Sequence, residues 1–132
     1  MKKISLLLLV LCVSFVFAGE KVISNGGSDN LSSADVKNIF LGKKKSWDNG
    51  SKIIICTLKS GATHENFITQ VVKKQPGQFD MYWKQLVFTG RGTMPKSFSS
   101  EAEMITFITA NKGAIGYVDE ATEVSLTIIS VQ

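Results

Sequence analysis

The length, composition and charge of the chain describe one small globular domain. Its 132 residues and 14.4 kDa are too few for two full-size domains joined by a hinge. Hydrophobic residues make up 44% and charged residues 20%, which excludes a disordered or collagen-like chain. The formal net charge of +4 falls to +2 without Lys2 and Lys3, which leaves 13 basic against 11 acidic residues. So small an excess argues against nucleic acid or an anionic membrane as the main partner.

The N-terminal segment has the pattern of a secretory signal peptide. Two lysines precede an apolar stretch over residues 4–17, which the small residue Ala18 ends. The stretch is shorter than the roughly 20 residues that a membrane-spanning helix needs. We therefore predict cleavage after Ala18, a mature domain over residues 19–132 in the periplasm, and no membrane span after cleavage. Two alternatives stay open: a lipid anchor on Cys12, disfavoured by the leucine before it, and an uncleaved apolar anchor.

Cysteine usage predicts a fold held by packing alone. After signal removal Cys56 is the only cysteine, so we expect no intramolecular disulfide. Because Cys56 follows three isoleucines, we interpret it as a buried small hydrophobe rather than a reactive thiol. One histidine and one cysteine without ligand spacing do not make a metal site, and we expect neither a metal nor a cofactor.

A short strand and a short amphipathic helix are predicted first. Residues 21–24 form the strand, which a glycine-rich turn ends. Ser32 is the predicted N-cap of a helix over residues 33–41, with Asp35 at the positive end of the helix dipole. Gly42 ends this helix. Its apolar face consists of Val36, Ile39 and Phe40.

A buried strand and a second helix come next. The lysines at positions 43–45 are interpreted as a solvated loop, with an anion-binding or docking role as the alternative. Residues 52–58 are predicted to form a β-branched strand covered on both faces. After a small-residue loop, Thr63 is the predicted N-cap of the second helix. We expect His64, in its first turn, at the surface. The apolar stripe of this helix consists of Phe67, Ile68, Val71 and Val72.

Two more helices and two strands complete the pattern. The first of these helices carries Phe79, Tyr82, Trp83 and Leu86 on one face. A loop over residues 90–95 follows it. Ser100, with a glutamate three residues on, predicts a capping box for a helix over residues 101–110. Residues 114–118 and 123–131 are the closing strands. Because strand and helix alternate, the predicted class is α/β.

Four segments in chain order resemble the phosphate-binding periplasmic proteins of ABC importers, in the second of their two lobes. They are LSSADVKNIFLGK at residues 31–43, WDNG at 47–50, THENF at 63–67 and GAIGYV at 113–118. The segment YWKQLVFTGRGTMP, residues 82–95, resembles small single-lobe exported proteins that carry the same family label. The resemblance implies a single lobe of a type II periplasmic binding protein, with a mostly parallel sheet of about four to five strands flanked by helices.

The resemblance also implies how such a lobe would hold phosphate or a similar oxyanion. In the family, a Ser-Gly-Thr turn at a helix start offers backbone N–H groups and hydroxyls, and an upstream Arg contacts the anion. The corresponding residues here form the candidate anion-binding site: Lys59, Ser60, Gly61, Ala62 and Thr63. Arg91, between two glycines of the predicted loop, is a further candidate contact with the anion or a partner.

This chain departs from the family pattern at that turn. Aligned on Thr63, Gly61 and Ala62 stand where Ser and Gly are expected. A shift of one residue restores Ser60 and Gly61 but leaves Ala62 as an insertion, and neither alignment places an Arg upstream. Each hydrogen bond to a charged group contributes about 1.5 to 3 kcal/mol, so these losses predict weak phosphate binding.

Two functions remain, with an enzyme as a third and disfavoured class. We expect a binding module that recognises phosphate or a similar oxyanion weakly, alone or as a homodimer with two lobes facing each other. The alternative is an interaction protein that has lost its ligand and docks a protein partner through the aromatic residues 79–88 and the loop over residues 90–95. The turn also has a purely structural interpretation, in which Thr63 only caps its helix. An enzyme is disfavoured because the sequence has neither a Ser-His-acid order nor paired carboxylates at a conspicuous spacing.

Overall fold

A computed structural model of the chain describes residues 20–27 and 30–131. The predicted signal peptide and its cleavage point lie outside these residues. The strands are β1 (Lys21–Ser24), β2 (Asn30–Leu31), β3 (Ile54–Leu58), β4 (Lys96–Phe98), β5 (Ala114–Val118) and β6 (Thr127–Val131). The helices are α1 (Ser33–Phe40), α2 (Ala62–Phe67), α3 (Pro76–Phe88) and α4 (Glu101–Ala110), and α2 continues into a π-helical segment at Ile68–Val72.

The strands form one mixed sheet in the order β2-β6-β1-β5-β3-β4. Only β1 runs against its neighbours β5 and β6, and the other described pairs are parallel. The prediction of an α/β fold with a mostly parallel sheet is confirmed. The sheet has six described strands, compared with the four to five expected. The short strands β2 and β4, of two and three residues, were not predicted because they carry no β-branched run. β6 starts at Thr127, four residues later than predicted.

Helices cover both faces of the central strand β5, whose five residues are all buried. Neighbouring residues of a strand point to opposite faces. On one face α4 packs close, because a Cβ at Gly116 would lie 2.7 Å from the sulfur of Met104. On the other face the ring of Tyr117 lies 5.9 Å from that of Phe40 in α1 and 4.0 Å from that of Phe67 in α2, between ring centres.

Serine side chains cap two of the helices as their sequences predict. Ser32 Oγ accepts a 3.0 Å hydrogen bond from the Asp35 amide, and the Asp35 carboxylate accepts one from the Ser32 amide. This capping box starts α1. At α4 half of the predicted box is present, since Ser100 Oγ accepts from the Glu103 amide at 3.2 Å. Such caps contribute about 1 kcal/mol each to stability.

Gly113 connects the start of β5 to three other places in the chain. Its N–H donates to the Asn25 carbonyl at 2.8 Å, and its carbonyl accepts 3.0 Å bonds from the Ile54 amide and from the indole N–H of Trp47. Gly113 has φ of +87°, and a Cβ there would lie 2.3 Å from the backbone oxygen of Lys52. The position therefore requires glycine for both conformation and space.

Gly113→Ala is expected to lower the free energy of unfolding by more than about 2 kcal/mol. The left-handed conformation alone costs a residue with a Cβ roughly 1–2 kcal/mol, and the contact with backbone adds to it. Gly26→Ala is the matched control, since Gly26 has φ of +76° but no atom within 4 Å of its Cβ position. Urea denaturation followed by circular dichroism measures both. Equal losses in the two variants would contradict the account of Gly113.

Candidate anion-binding site

The candidate turn lies at the carboxyl end of β3. The parallel strands β3, β4 and β5 end at the same edge of the sheet, and this is the edge at which open α/β sheets bind ligands. The Lys59 amide still pairs with the neighbouring strand segment, donating to the Phe98 carbonyl at 2.9 Å. The chain therefore leaves the sheet directly after Lys59 and turns into α2 within two residues.

Helix α2 starts two residues earlier than predicted. Ala62 is its first residue and Gly61 is its N-cap, so the prediction that Thr63 caps the helix is wrong. The physical reason is the backbone of Gly61, whose φ of +103° is accessible to glycine and strained for other residues. The chain turns at Gly61, which places Thr63 at the second helical position, inside the first turn.

No side chain among the described residues caps the start of α2. The helices α1 and α4 differ, because a serine oxygen accepts a first-turn amide in each. First-turn N–H groups have no acceptor within their own helix, and no described side chain supplies one at the start of α2. The turn is also open to solvent: Thr63 is half-buried, and the other residues of the candidate site, Lys59, Ser60, Gly61 and Ala62, are exposed.

A buried histidine in the first turn of α2 attaches this helix to the sheet. His64 is only 5% exposed, so the expectation that it lies at the surface is wrong. The Tyr117 hydroxyl accepts a 2.9 Å hydrogen bond from the Leu58 amide and is also hydrogen-bonded to His64 Nδ1. One hydroxyl thus joins the end of β3 to the first turn of α2. His64 lies three and four residues before Phe67 and Ile68, on the same apolar stripe, which is the signal that would have revealed its burial.

Both members of this pair are uncharged at neutral pH. Burial lowers the pKa of His64, and the carboxylates of Asp80 and Glu65 oppose that shift more weakly. Burial likewise raises the pKa of Tyr117, while the hydrogen bond from the Leu58 amide lowers it in part. The pair therefore positions α2 without adding charge to it, and the positive charge at the turn comes from Lys59 and the helix dipole.

Other site types find little support in the described residues. Cys56 is buried, as predicted, and burial raises the pKa of its thiol to about 12, so it stays protonated and unreactive. Within residues 20–27 and 30–131, no three His, Cys, Asp or Glu side chains come together in a way that could hold a metal ion. In the same residues no helix has the length and apolar character needed to cross a bilayer.

Arg91 lies away from the candidate turn. It is exposed in the loop between α3 and β4, where it lines a cavity beside the amino end of β3 with Lys52. The turn follows the carboxyl end of the same strand. Five strand residues separate the two places by roughly 15 Å. Arg91 is therefore not among the groups that surround the start of α2.

The free energy of unfolding is expected to fall as the pH drops from 7 through about 6.5, the ordinary pKa of histidine. The unfolded chain takes up a proton there, while His64 in the folded protein resists it because its pKa is lowered. The unfolded state then binds more protons, so stability rises with pH through this window and is lost below it. His64→Gln should remove this dependence and lower stability at pH 7 by about 1–2 kcal/mol.

Urea denaturation between pH 7 and about pH 5.5, above the carboxylate range, measures this effect. The chain contains one histidine, so no second imidazole contributes. Parallel pH profiles for the wild type and His64→Gln would contradict the assignment.

Comparison with known proteins gives a fold and no family. No family model and no curated protein matches the chain. Solved structures that match, each at 16% identity and over 86% of this chain, are an ABC-type phosphate transport receptor from Vibrio cholerae (TM-score 0.57), a putative phosphate ABC transporter substrate-binding protein with bound phosphate from Clostridium perfringens (0.65) and PstS from Borrelia burgdorferi (0.60).

The match covers part of those larger proteins. This chain spans 46%, 44% and 47% of their lengths, which is less than half of each. At 16% identity the likeness establishes architecture and leaves ligand and activity to be tested. The chain has the fold of a single lobe of a type II periplasmic binding protein.

Proposed function

We propose that this chain is an exported binding module that recognises phosphate, or a similar small oxyanion, weakly. The proposed site is the turn of residues 59–63. The observation that supports it is the start of α2, which is exposed, has no side-chain cap and lies at the carboxyl edge of the sheet. Proteins with the same fold that are described as phosphate receptors make orthophosphate the first anion to test.

The chemistry of the turn supports binding of modest strength. The free N–H groups of the first turn and the hydroxyls of Ser60 and Thr63 are donors, and Lys59 adds a full positive charge. No arginine is available for a bidentate contact, and Glu65 places a negative charge in the first turn. Net binding of about 4 kcal/mol corresponds to a dissociation constant of about 1 mM. A second copy of the chain facing the turn would add donors on the anion's open side.

Export rests on the signal-peptide pattern of residues 1–18. We propose that the protein is cleaved after Ala18 and acts in the periplasm. Intact mass spectrometry of protein recovered from the periplasm of a Gram-negative host tests this. The expected N-terminus is Gly19, and a full-length mass, or a lipid adduct on Cys12, would contradict the proposal.

Isothermal titration with orthophosphate, sulfate and acetate is the test of binding. We expect saturable binding of orthophosphate near millimolar concentration. Thr63→Val removes the hydroxyl but keeps the branched shape, and Lys59→Gln removes the charge. Each should weaken binding by roughly three- to tenfold, as the loss of about 1 kcal/mol implies. Lys112→Gln, an exposed lysine beyond α4, is the control for net charge and should have no such effect.

A folded protein that shows no heat and no thermal shift with any of the three anions would overturn the binding function. A uniform loss of binding in all variants, including Lys112→Gln, would assign the effect to net charge and would equally contradict a site at the turn.

The alternative function, docking of a protein partner, is favoured by one observation on α3. Met81 is 72% exposed and Phe88 is 92% exposed. Half-buried Tyr82 lines the same surface, whereas Phe79 and Trp83 do not contribute because they are buried in the core. The apolar surface of α3 is thus smaller than the sequence suggested. Absence of anion binding by the folded protein would make this docking role the better account.

A further inference from the structure

A cavity of about 350 Å³ lies beside the amino end of β3, at the opposite edge of the sheet from the proposed phosphate site. It sits between the loop after α1 and the loop after α3. The side chains that matter for its chemistry are Lys44, Lys45, Lys52, Arg91, Thr93 and Trp83. Four of these six carry a positive charge, and no acidic side chain lines the cavity.

The positive charge exceeds what the fold itself needs. The carboxyl ends of α1 and α3 both meet this cavity, and cations near helix carboxyl ends are stabilised by the dipole. Each helix end carries about half a negative charge, so together they offset about one of the four cations. Asp48 offsets a second one weakly, since its carboxylate lies 3.8 Å from Lys44 Nζ and is 91% exposed. More than two positive charges remain unbalanced around one concave surface, which concentrates anions there.

Trp83 forms one wall of the cavity, and a hydrogen bond joins the two loops on either side of it. The indole N–H of Trp83 donates to the Phe40 carbonyl at 3.0 Å, and the ring is buried. Close approach of Gly42 fixes the ring further, because a Cβ there would lie 2.7 Å from it. Lys45 Nζ donates to the Arg91 carbonyl at 2.9 Å, which links the two loops. The two loops that carry Lys45 and Arg91 are therefore joined to each other, and Trp83 forms a buried wall beside them.

We propose that this cavity is a second anion site, distinct from the α2 turn, and that its ligand is a small multivalent phosphate, either a condensed phosphate or an ester with more than one phosphate group. Ligand pockets in proteins are typically about 300 Å³ or larger, so the cavity has room for more than a single orthophosphate. Ammonium and guanidinium groups both bind phosphate oxygens, and the guanidinium of Arg91 can do so with two nitrogens.

Titration with inorganic tripolyphosphate and with orthophosphate at low ionic strength tests the proposal. Tripolyphosphate should bind at least about tenfold more tightly, since it can contact several of the cations at once. Arg91→Gln and Lys52→Gln should each weaken its binding by roughly three- to tenfold, and added salt should weaken it further. Thr63→Val and Lys112→Gln should leave it within about twofold. Arg91 is the only arginine, so its side-chain N–H signal in NMR reports ligand contact without ambiguity.

The outcomes separate this site from the proposed phosphate site. Tripolyphosphate binding that is lost in Thr63→Val and kept in Arg91→Gln would overturn the proposal and place the ligand at the α2 turn. Equal weakening by Lys112→Gln and Arg91→Gln would overturn it in favour of net charge, and so would the absence of binding by folded protein. Tripolyphosphate binding with the expected variant pattern would support it even if orthophosphate fails to bind at the turn.

Discussion

The hydroxyl group of Tyr117 joins three elements at the carboxyl edge of the sheet. It belongs to the buried central strand β5, accepts from the Leu58 amide at the end of β3, and is hydrogen-bonded to His64 Nδ1 in the first turn of α2. Stacking of its ring on Phe67, with ring centres 4.0 Å apart, holds the same helix. The turn between β3 and α2 is thereby fixed at both ends. A turn held in this way presents its N–H groups in a set geometry before any ligand arrives, which reduces the entropy lost on binding.

The two edges of the sheet carry different chemistry. At the carboxyl edge the donors are mainly backbone amides, with one nearby lysine, an arrangement suited to a single small anion. At the amino edge the groups are side-chain cations around a cavity, and charge rather than backbone geometry dominates. The length of β3 keeps the two regions apart. One short strand therefore connects the proposed weak site for a simple oxyanion with the proposed site for a larger, more highly charged one.

Features that depend on residues close together in the chain, such as helix caps, could be predicted from the sequence. The Ser32 cap of α1 was predictable because donor and acceptor lie three residues apart. The prediction that Thr63 caps α2 was wrong because Gly61 adopts a positive φ, which composition alone does not reveal. The burial of His64 depends on Tyr117, 53 residues later, and only the helical stripe hinted at it. The basic cavity combines three separate segments, so the lysine run by itself could not reveal it. Likewise, β2 and β4 are too short to show a pattern and form only because neighbouring strands pair with them.

The most direct test of the central claim is an NMR titration of the ¹⁵N-labelled protein with orthophosphate, run in parallel on Tyr117→Phe. The account predicts saturable shifts of the Gly61, Ala62 and Thr63 amides in the wild type. It also predicts weaker binding in the variant, which lacks the hydroxyl that positions α2 but keeps the stacked ring. Amides of this turn that do not move while the protein stays folded would contradict it, as would identical titrations of the two proteins.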